Sequence, residues 1–239
     1  MSLFENVYVI NLRKRSERWR RTLHRLSASG FDLDCIRRFE AVDGQKLFQA
    51  ERAYLRSILT GKAYEEIQES KRSYHEQLTL GAVGCALSHI SVWREVVEKG
   101  ISELLVFEDD IVLPRHFKTL FRQRWPLVPG DWDIVFLGCW HRKRPVAVNR
   151  YLVKPARIFR THAYALCQHG AESLLKSAFP LKVQLDAYMS EIFSFVHAYA
   201  FRPSLIRQSY LKWFNTDVQL PIRRFYDLRS LFMRMNSKG

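Results

Sequence analysis

No stretch of this chain stays apolar for the ~18 residues that a helix needs to cross a bilayer. Met1 to Ile10 also lacks the basic start and apolar run of a signal peptide. A soluble, cytoplasmic protein is the expectation. Cysteine is scarce: Cys35, Cys85, Cys139 and Cys167 lie far apart and form no CxxC pair. That excludes a zinc knuckle or a disulfide framework and predicts reduced, buried thiols. No internal repeat and no low-complexity linker interrupts the 239 residues, so one large domain is expected. Acids are in deficit, 24 against 38 lysines and arginines, which leaves a net charge of +14. Such a surplus attracts a polyanion, and nucleic acid, anionic lipid and phosphorylated glycan all qualify. With 47% hydrophobic and 13% aromatic residues, general disorder is excluded.

The apolar residues that are present come in short blocks. VYVINL (7–12) is β-branched and reads as a buried strand, followed by the basic run Arg13, Lys14, Arg15 and Arg18. From Ser16 the spacing of Trp19, Leu23 and Leu26 is helical, with Gly30 as a stop. Residues 31–44 read as a second strand region closed by a turn at Asp43 and Gly44, and 45–77 as a polar helical segment. LGAVGCALSHISVWREVVEKG (80–100) reads as a glycine-containing turn leading into an amphipathic helix, with Ser88 and His89 at its start. LLVF, WDIVFLG and FRTHAYALC read as further strands, and GAESLLKSAF as a helix. This alternation predicts a largely parallel sheet covered on both faces.

LLVFEDDIVL (104–113) places Glu108, Asp109 and Asp110 at the end of one such strand, where open α/β sheets bind ligands. Three adjacent carboxylates repel one another unless a cation, a partner or water offsets the repulsion. A hard cation such as Mg²⁺ or Mn²⁺ suits them, and so does a solvated turn with no function. In a parallel sheet the first strand delivers Arg13, Arg15 and Arg18 to the same edge, and arginine favours phosphate.

Taken in order, VYVINLRKRSERW, FEAVDG, GAVGCALSHISVW and LLVFEDDIVL resemble the successive signatures of glycosyltransferase family 25. That family comprises bacterial lipopolysaccharide and lipooligosaccharide glycosyltransferases, to which collagen β-galactosyltransferases are related. Matches continue at DWDIVFLG, THAYALCQHGAESLL, Asp186, Gln208 and the TDV of 216–218. The resemblance implies a GT-A-type, Rossmann-like α/β fold with a mostly parallel central sheet and helices on both faces. It also implies an inverting, metal-dependent transfer of galactose or glucose from a UDP-sugar to a lipid-linked oligosaccharide acceptor. On this chain Asp110 becomes the main ligand of Mn²⁺ or Mg²⁺, and Glu108 supports the metal or the ribose. Asn11, Leu12, Arg13, Arg18, Asp43, Ser88 and His89 surround the donor. Asp109 joins that group by position alone. Asp186 is the expected general base, with a helix N-cap as the alternative and Glu191 as a rival. Asp217 would close the site from the C-terminal side.

The implied catalytic domain spans 1–218, and 219–239 forms a basic amphipathic tail. The tail suits either the anionic inner face of the cytoplasmic membrane, as a peripheral enzyme, or packing on its own domain. Two other readings compete: a basic nucleic-acid-binding protein, which the acidic triplet opposes, and a family member that has lost catalysis and acts as a binding module.

Overall fold

The computed structural model describes residues 4–69, 74 and 76–209. The predicted tail at 219–239 and Asp217 lie outside these residues. The chain opens with β1 (Val7–Asn11), α1 (Ser16–Ala28) and β2 (Ile36–Glu40), then three short helices, α2 (Gly44–Ala50), α3 (Arg52–Ile58) and α4 (Gly61–Gln68). Next come α5 (Leu80–Glu98), β3 (Glu103–Glu108), β4 (Ile111–Val112), α6 (Phe117–Arg124), β5 (Ile134–His141), β6 (Val146–Ala147) and β7 (Leu152–Lys154). The described part closes with β8 (Ile158–Cys167), α7 (Gln168–Leu175), α8 (Leu185–Ile192), β9 (Ala198–Phe201) and β10 (Arg207–Gln208).

Eight strands form one sheet in the order β2-β1-β3-β8-β5-β9-β7-β6. β1 is parallel to both β2 and β3, and β5 to β9. Six of the eight strands point the same way, while β8 and β7 run against them. The expected α/β fold is present, with departures from simple parallel alternation at β7 and β8. β8 returns from the β6–β7 excursion and slots antiparallel between β3 and β5. A short connection permits that pairing, whereas a parallel one needs a crossover.

Side chains alternate across each central strand, so the sheet buries both faces. On β3, Leu104 and Val106 face a core shared with α5, α7 and α8, while Leu105 and Phe107 face one shared with α1 and α6. Tyr8 and Ile10 of β1 and Phe136 of β5 join the first core; Val7, Val9, Val135 and Leu137 join the second. Full burial of one Leu or Phe contributes about 1.5–3 kcal/mol, so these alternating runs fix the strand register.

α5 departs from the sequence reading. It begins at Leu80, capped by Thr79 Oγ1 accepting from Ala82 N at 3.1 Å, so the expected glycine turn is helix. Its residues are buried nearly all round rather than on one stripe, because α2 and α7 cover the sides that the sheet does not. Gly84 has a packing role: a Cβ there would stand 2.5 Å from Val42 O and 2.7 Å from Gly44 N. The 42–44 turn therefore crosses the helix in direct backbone contact. Among the described residues no helix is long and apolar enough to cross a membrane.

Candidate active site

From β1 the chain goes to β2 on one side, then returns to β3 on β1's other side. The carboxyl ends of β1 and β3 thus flank a topological switch point, where α/β sheets open a crevice. Ile10 pairs with Glu108 in register, which places Asn11 and the acidic triplet side by side.

The triplet splits across the strand end. Asp109 turns toward α1: Asn11 Nδ2 donates to its Oδ2 at 2.7 Å, Arg18 stands 3.4 Å from its Oδ1, and Thr22 Oγ1 donates to its carbonyl at 2.8 Å. Asn11 is itself held by Arg38 Nε at 2.9 Å and donates to Arg15 O at 3.1 Å. Asp109 thus locks the β1–α1 loop to the end of β3. Glu108 and Asp110 turn the other way. Gln208 Nε2 lies 3.3 Å from Glu108 Oε2 and 3.3 and 3.2 Å from the two oxygens of Asp110. β10 brings it there by pairing antiparallel with β4, Gln208 opposite Ile111. The separation of Glu108 and Asp110 from Asp109 relieves the repulsion that adjacent carboxylates would otherwise suffer.

A narrow cleft opens beside Glu108, walled by Leu12, Lys14, Arg18, Asp43, Ser88 and His89 among others. Lys14 and Asp43 clasp its mouth at 2.6 Å. Asp43 also caps α2 by accepting from Gln45 N at 3.2 Å, and its pKa is lowered: burial pushes upward, but Lys14 and the α2 amides prevail. Ser88 and His89 lie in the middle of α5, not at a helix start. The Ser88 hydroxyl donates to Gly84 O at 2.6 Å and accepts from Val42 N at 2.8 Å, so it holds the 42–44 turn in place. Arg13 is exposed beside the cleft, and its carbonyl accepts from Arg38 at 3.2 Å; Lys14 takes the lining position.

His89 is set by a buried chain. Trp93 Nε1 donates to Tyr164 OH at 3.0 Å, and Tyr164 OH lies 2.8 Å from His89 Nδ1. Indole nitrogen only donates, so the Tyr164 hydrogen goes to Nδ1, the remaining acceptor, and the imidazole carries its proton on Nε2. Burial raises the Tyr164 pKa, which keeps the phenol protonated. Nε2 is buried on the Glu108 side of the ring, 3.8 Å from Glu108 Oε1.

Two donor sets for a metal come together at the end of β3. Cys85, His89 and Glu108 offer one atom each within 4.8 Å. Ligation by His89 would need a bare Nε2, which the Trp93–Tyr164 chain opposes. Glu108 and Asp110 fit better: two carboxylates converge on one point, now taken by an amide N–H donor, and oxygen donors suit Mg²⁺ or Mn²⁺. Sequence reasoning placed Gln208 only as a motif match and overlooked Cys85 as a wall of the cleft. Of the four cysteines only Cys139 is buried, and burial pushes its thiol up to about 12; the other three are partly exposed, contrary to expectation.

Asp186 lies in the first turn of α8, with Gln184 rather than Asp186 as N-cap. Its carboxylate accepts from Arg160 N at 3.1 Å and Ala187 N at 2.8 Å. Burial raises its pKa against those two amides, and the negative charges of Glu108 and Glu76 add to the rise. Glu191 is instead paired with Lys182 at 2.7 Å on the surface.

A family model described as glycosyltransferase family 25 (LPS biosynthesis protein) matches residues 4–127, just over half of the 239 residues. The chain belongs to glycosyltransferase family 25. Its relatives include procollagen galactosyltransferase 2 of Mus musculus, 31% identical over 186 residues that make up 72% of this chain and 27% of that protein. The inactive glycosyltransferase 25 family member 3 of Mus musculus is 35% identical over 73% of this chain and 29% of its own length. A glycosyltransferase 25 family member of Anopheles gambiae is 31% identical over 79% of this chain and 31% of its own. This family 25 chain therefore spans less than a third of the length of these relatives. Among solved structures, mouse xyloside xylosyltransferase 1 in apo form aligns over 90% of this chain and 99% of its own, with 8% identity and a TM-score of 0.38.

Proposed function

We propose that this family 25 protein transfers a hexose, galactose or glucose, from a UDP-sugar to a glycan acceptor with inversion. The observation that carries this reading is the convergence of the Glu108 and Asp110 carboxylates on one point beside a switch-point cleft that Lys14 and Arg18 help to line. Glu108 and Asp110 would hold Mn²⁺ or Mg²⁺, which when bound neutralises charge on the departing diphosphate. Lys14 and Arg18 present positive charge to phosphate along the cleft wall. His89, which lines the same cleft, holds its Nε2–H on the Glu108 side, where it suits an anionic oxygen. Asp186 serves as the general base that takes the proton of the acceptor hydroxyl, since its raised pKa improves a carboxylate as a proton acceptor.

Donor entry separates Lys14 from Asp43, because their ion pair bridges the cleft mouth. The acceptor is proposed to be a lipid-linked oligosaccharide at the cytoplasmic membrane face, as the +14 charge and the family's description favour. Galactose as the donor sugar is supported by the procollagen galactosyltransferase relatives. Calorimetry with UDP, with and without Mn²⁺, tests the donor half of the proposal. Wild type should bind more tightly with the metal, and Asp110→Asn should lose that increment while melting normally; metal-independent binding in both would end the metal assignment.

A second reading is favoured by the 35% identical relative named inactive: the chain binds a nucleotide sugar without transferring it. Slow hydrolysis of UDP-galactose or UDP-glucose, absent in Asp110→Asn, would exclude it.

A further inference from the structure

On the far side of Gln208 from the donor cleft lies a cavity of about 400 Å³, lined by Cys139, Trp140, His141, Ser204, Arg207 and Gln208. That volume is within the usual range for small-ligand pockets, about 300–1,000 Å³. We propose that it is the acceptor subsite and takes a sugar ring bearing an anionic group, with Trp140 as its platform. The assignment rests on the transferase reading for the word acceptor, but its physical grounds are separate.

Trp140 is 48% exposed at the end of β5, an unusual place for an indole in a strand otherwise buried. Its ring and the Arg160 guanidinium stack at 4.3 Å. The part of the indole that Arg160 leaves exposed, with hydrogen-bonding groups beside it, suits a pyranose, which is apolar on its C–H face and polar at its rim. Both ring nitrogens of His141 are buried, and no described residue hydrogen-bonds them. Burial, with the charge of Arg202 adding to it, lowers the His141 pKa, so the ring is neutral and offers one donor and one acceptor. Buried polar atoms without partners are costly and call for one.

The backbone around the cavity is built with strain. Arg160 has φ 60°, the only positive φ at a non-glycine residue among those described. It lies where β8 bulges against β5, between the pairs Gly138↔Ala163 and Trp140↔Phe159. The bulge also turns His162 over Gly138, where a Cβ would collide with the imidazole. Asp186 holds the strained residue by accepting from Arg160 N at 3.1 Å. Strain kept in place by a buried carboxylate has its effect at the cavity, by aiming the guanidinium onto Trp140.

Charge selects the ligand class. Among the described residues the lining contains Arg207 and no acid, Arg160 stands on Trp140, and the field of Arg202 reaches His141. The nearby carboxylates, Glu108 and Asp110, accept from Gln208 Nε2 and do not line the cavity. A sugar carrying phosphate or carboxylate therefore fits, and a neutral one fits less well.

Saturation-transfer NMR with glucose 6-phosphate, glucuronate and glucose tests the site without catalysis. Transfer to either or both anionic sugars in wild type supports the proposal, provided that it is lost in Trp140→Ala. Arg207→Ala should reduce the preference over glucose about tenfold, or ~1.4 kcal/mol. UDP affinity, measured by calorimetry, should be the same in wild type and Trp140→Ala, and both should melt alike. Equal transfer in wild type and Trp140→Ala, no transfer in wild type, or no preference over glucose would each overturn the proposal. Loss of UDP binding in the wild type itself would end the transferase reading and leave the sugar result standing.

Discussion

Replacing Tyr164 with Phe removes one oxygen from the centre of the protein and leaves the ring in place. Tyr164 is fully buried, so apolar burial hardly changes; the cost comes from the two partners of its hydroxyl. Trp93 Nε1–H, at 3.0 Å, loses its acceptor, and His89 Nδ1, at 2.8 Å, loses its donor. An orphaned buried polar group costs about 1–3 kcal/mol. Two of them give a loss of about 2–4 kcal/mol, taking the low end because His89 can relax toward the cleft. At ~2–4 °C per kcal/mol for a chain of this size, the melting temperature should fall by about 5–15 °C. Urea unfolding should show the loss as a lower midpoint with an unchanged slope. A second assay reads the chain directly: ¹⁵N shifts of the His89 imidazole should show the proton on Nε2 in wild type and a tautomer mixture in Tyr164→Phe. A variant within ~0.5 kcal/mol of wild type, or a wild-type proton on Nδ1, would refute the hydrogen-bond assignment and reopen His89 as a metal ligand.

Gly84→Ala should cost about 1–3 kcal/mol, because the new Cβ meets backbone at 2.5 Å and the 42–44 turn must retreat; thermal melts check the loss, and UDP calorimetry should show weaker binding through displaced Asp43. Arg160→Gly should be more stable than Arg160→Ala by about 0.5–1 kcal/mol in urea, reversing the usual order in a strand, since only alanine keeps the strain at φ 60°. Asp186 binds its proton more tightly folded than unfolded, so its contribution to stability is greatest below the unfolded pKa near 3.8 and declines as pH rises through the raised folded value. Transfer rates should increase over that same rise, with an apparent pKa above the ordinary carboxylate value, and a flat acid limb in the pH profile would remove Asp186 as the base.

The local half of the fold was legible because it depends on local pattern. VYVINL and LLVF announce β1 and β3 through β-branched and aromatic residues that alternate between two cores, and α1 shows its Leu26 face at helical spacing. The position of Glu108 to Asp110 at a strand end followed from that pattern. Direction and partner did not. Nothing in FRTHAYALC says that it runs against β3, since a strand buried on both faces has the same composition either way up. Gln208 meets Glu108 across 100 residues, a pairing set by β10 and β4 and by no local signal. GAVGC was misread for a physical reason: its glycines suggest a turn, but they serve a helix that must admit another backbone at Gly84. The opposed directions of Asp109 and Asp110 arise in the turn between β3 and β4, and the side that Asp109 takes depends on Asn11 and Arg18.

The antiparallel insertion of β8 also governs the order in which the sheet is completed. Until residues 158–167 have been made, β3 has β1 on one edge and nothing on the other, although Leu104, Leu105, Val106 and Phe107 are all apolar. An exposed edge of that kind templates intermolecular pairing. A chain cut after residue 127, where the family match ends, would keep Glu108 to Asp110 yet carry this sticky edge permanently. The acidic strand end and the closing strand that protects it are therefore a single unit of folding, and aggregation is the consequence of separating them.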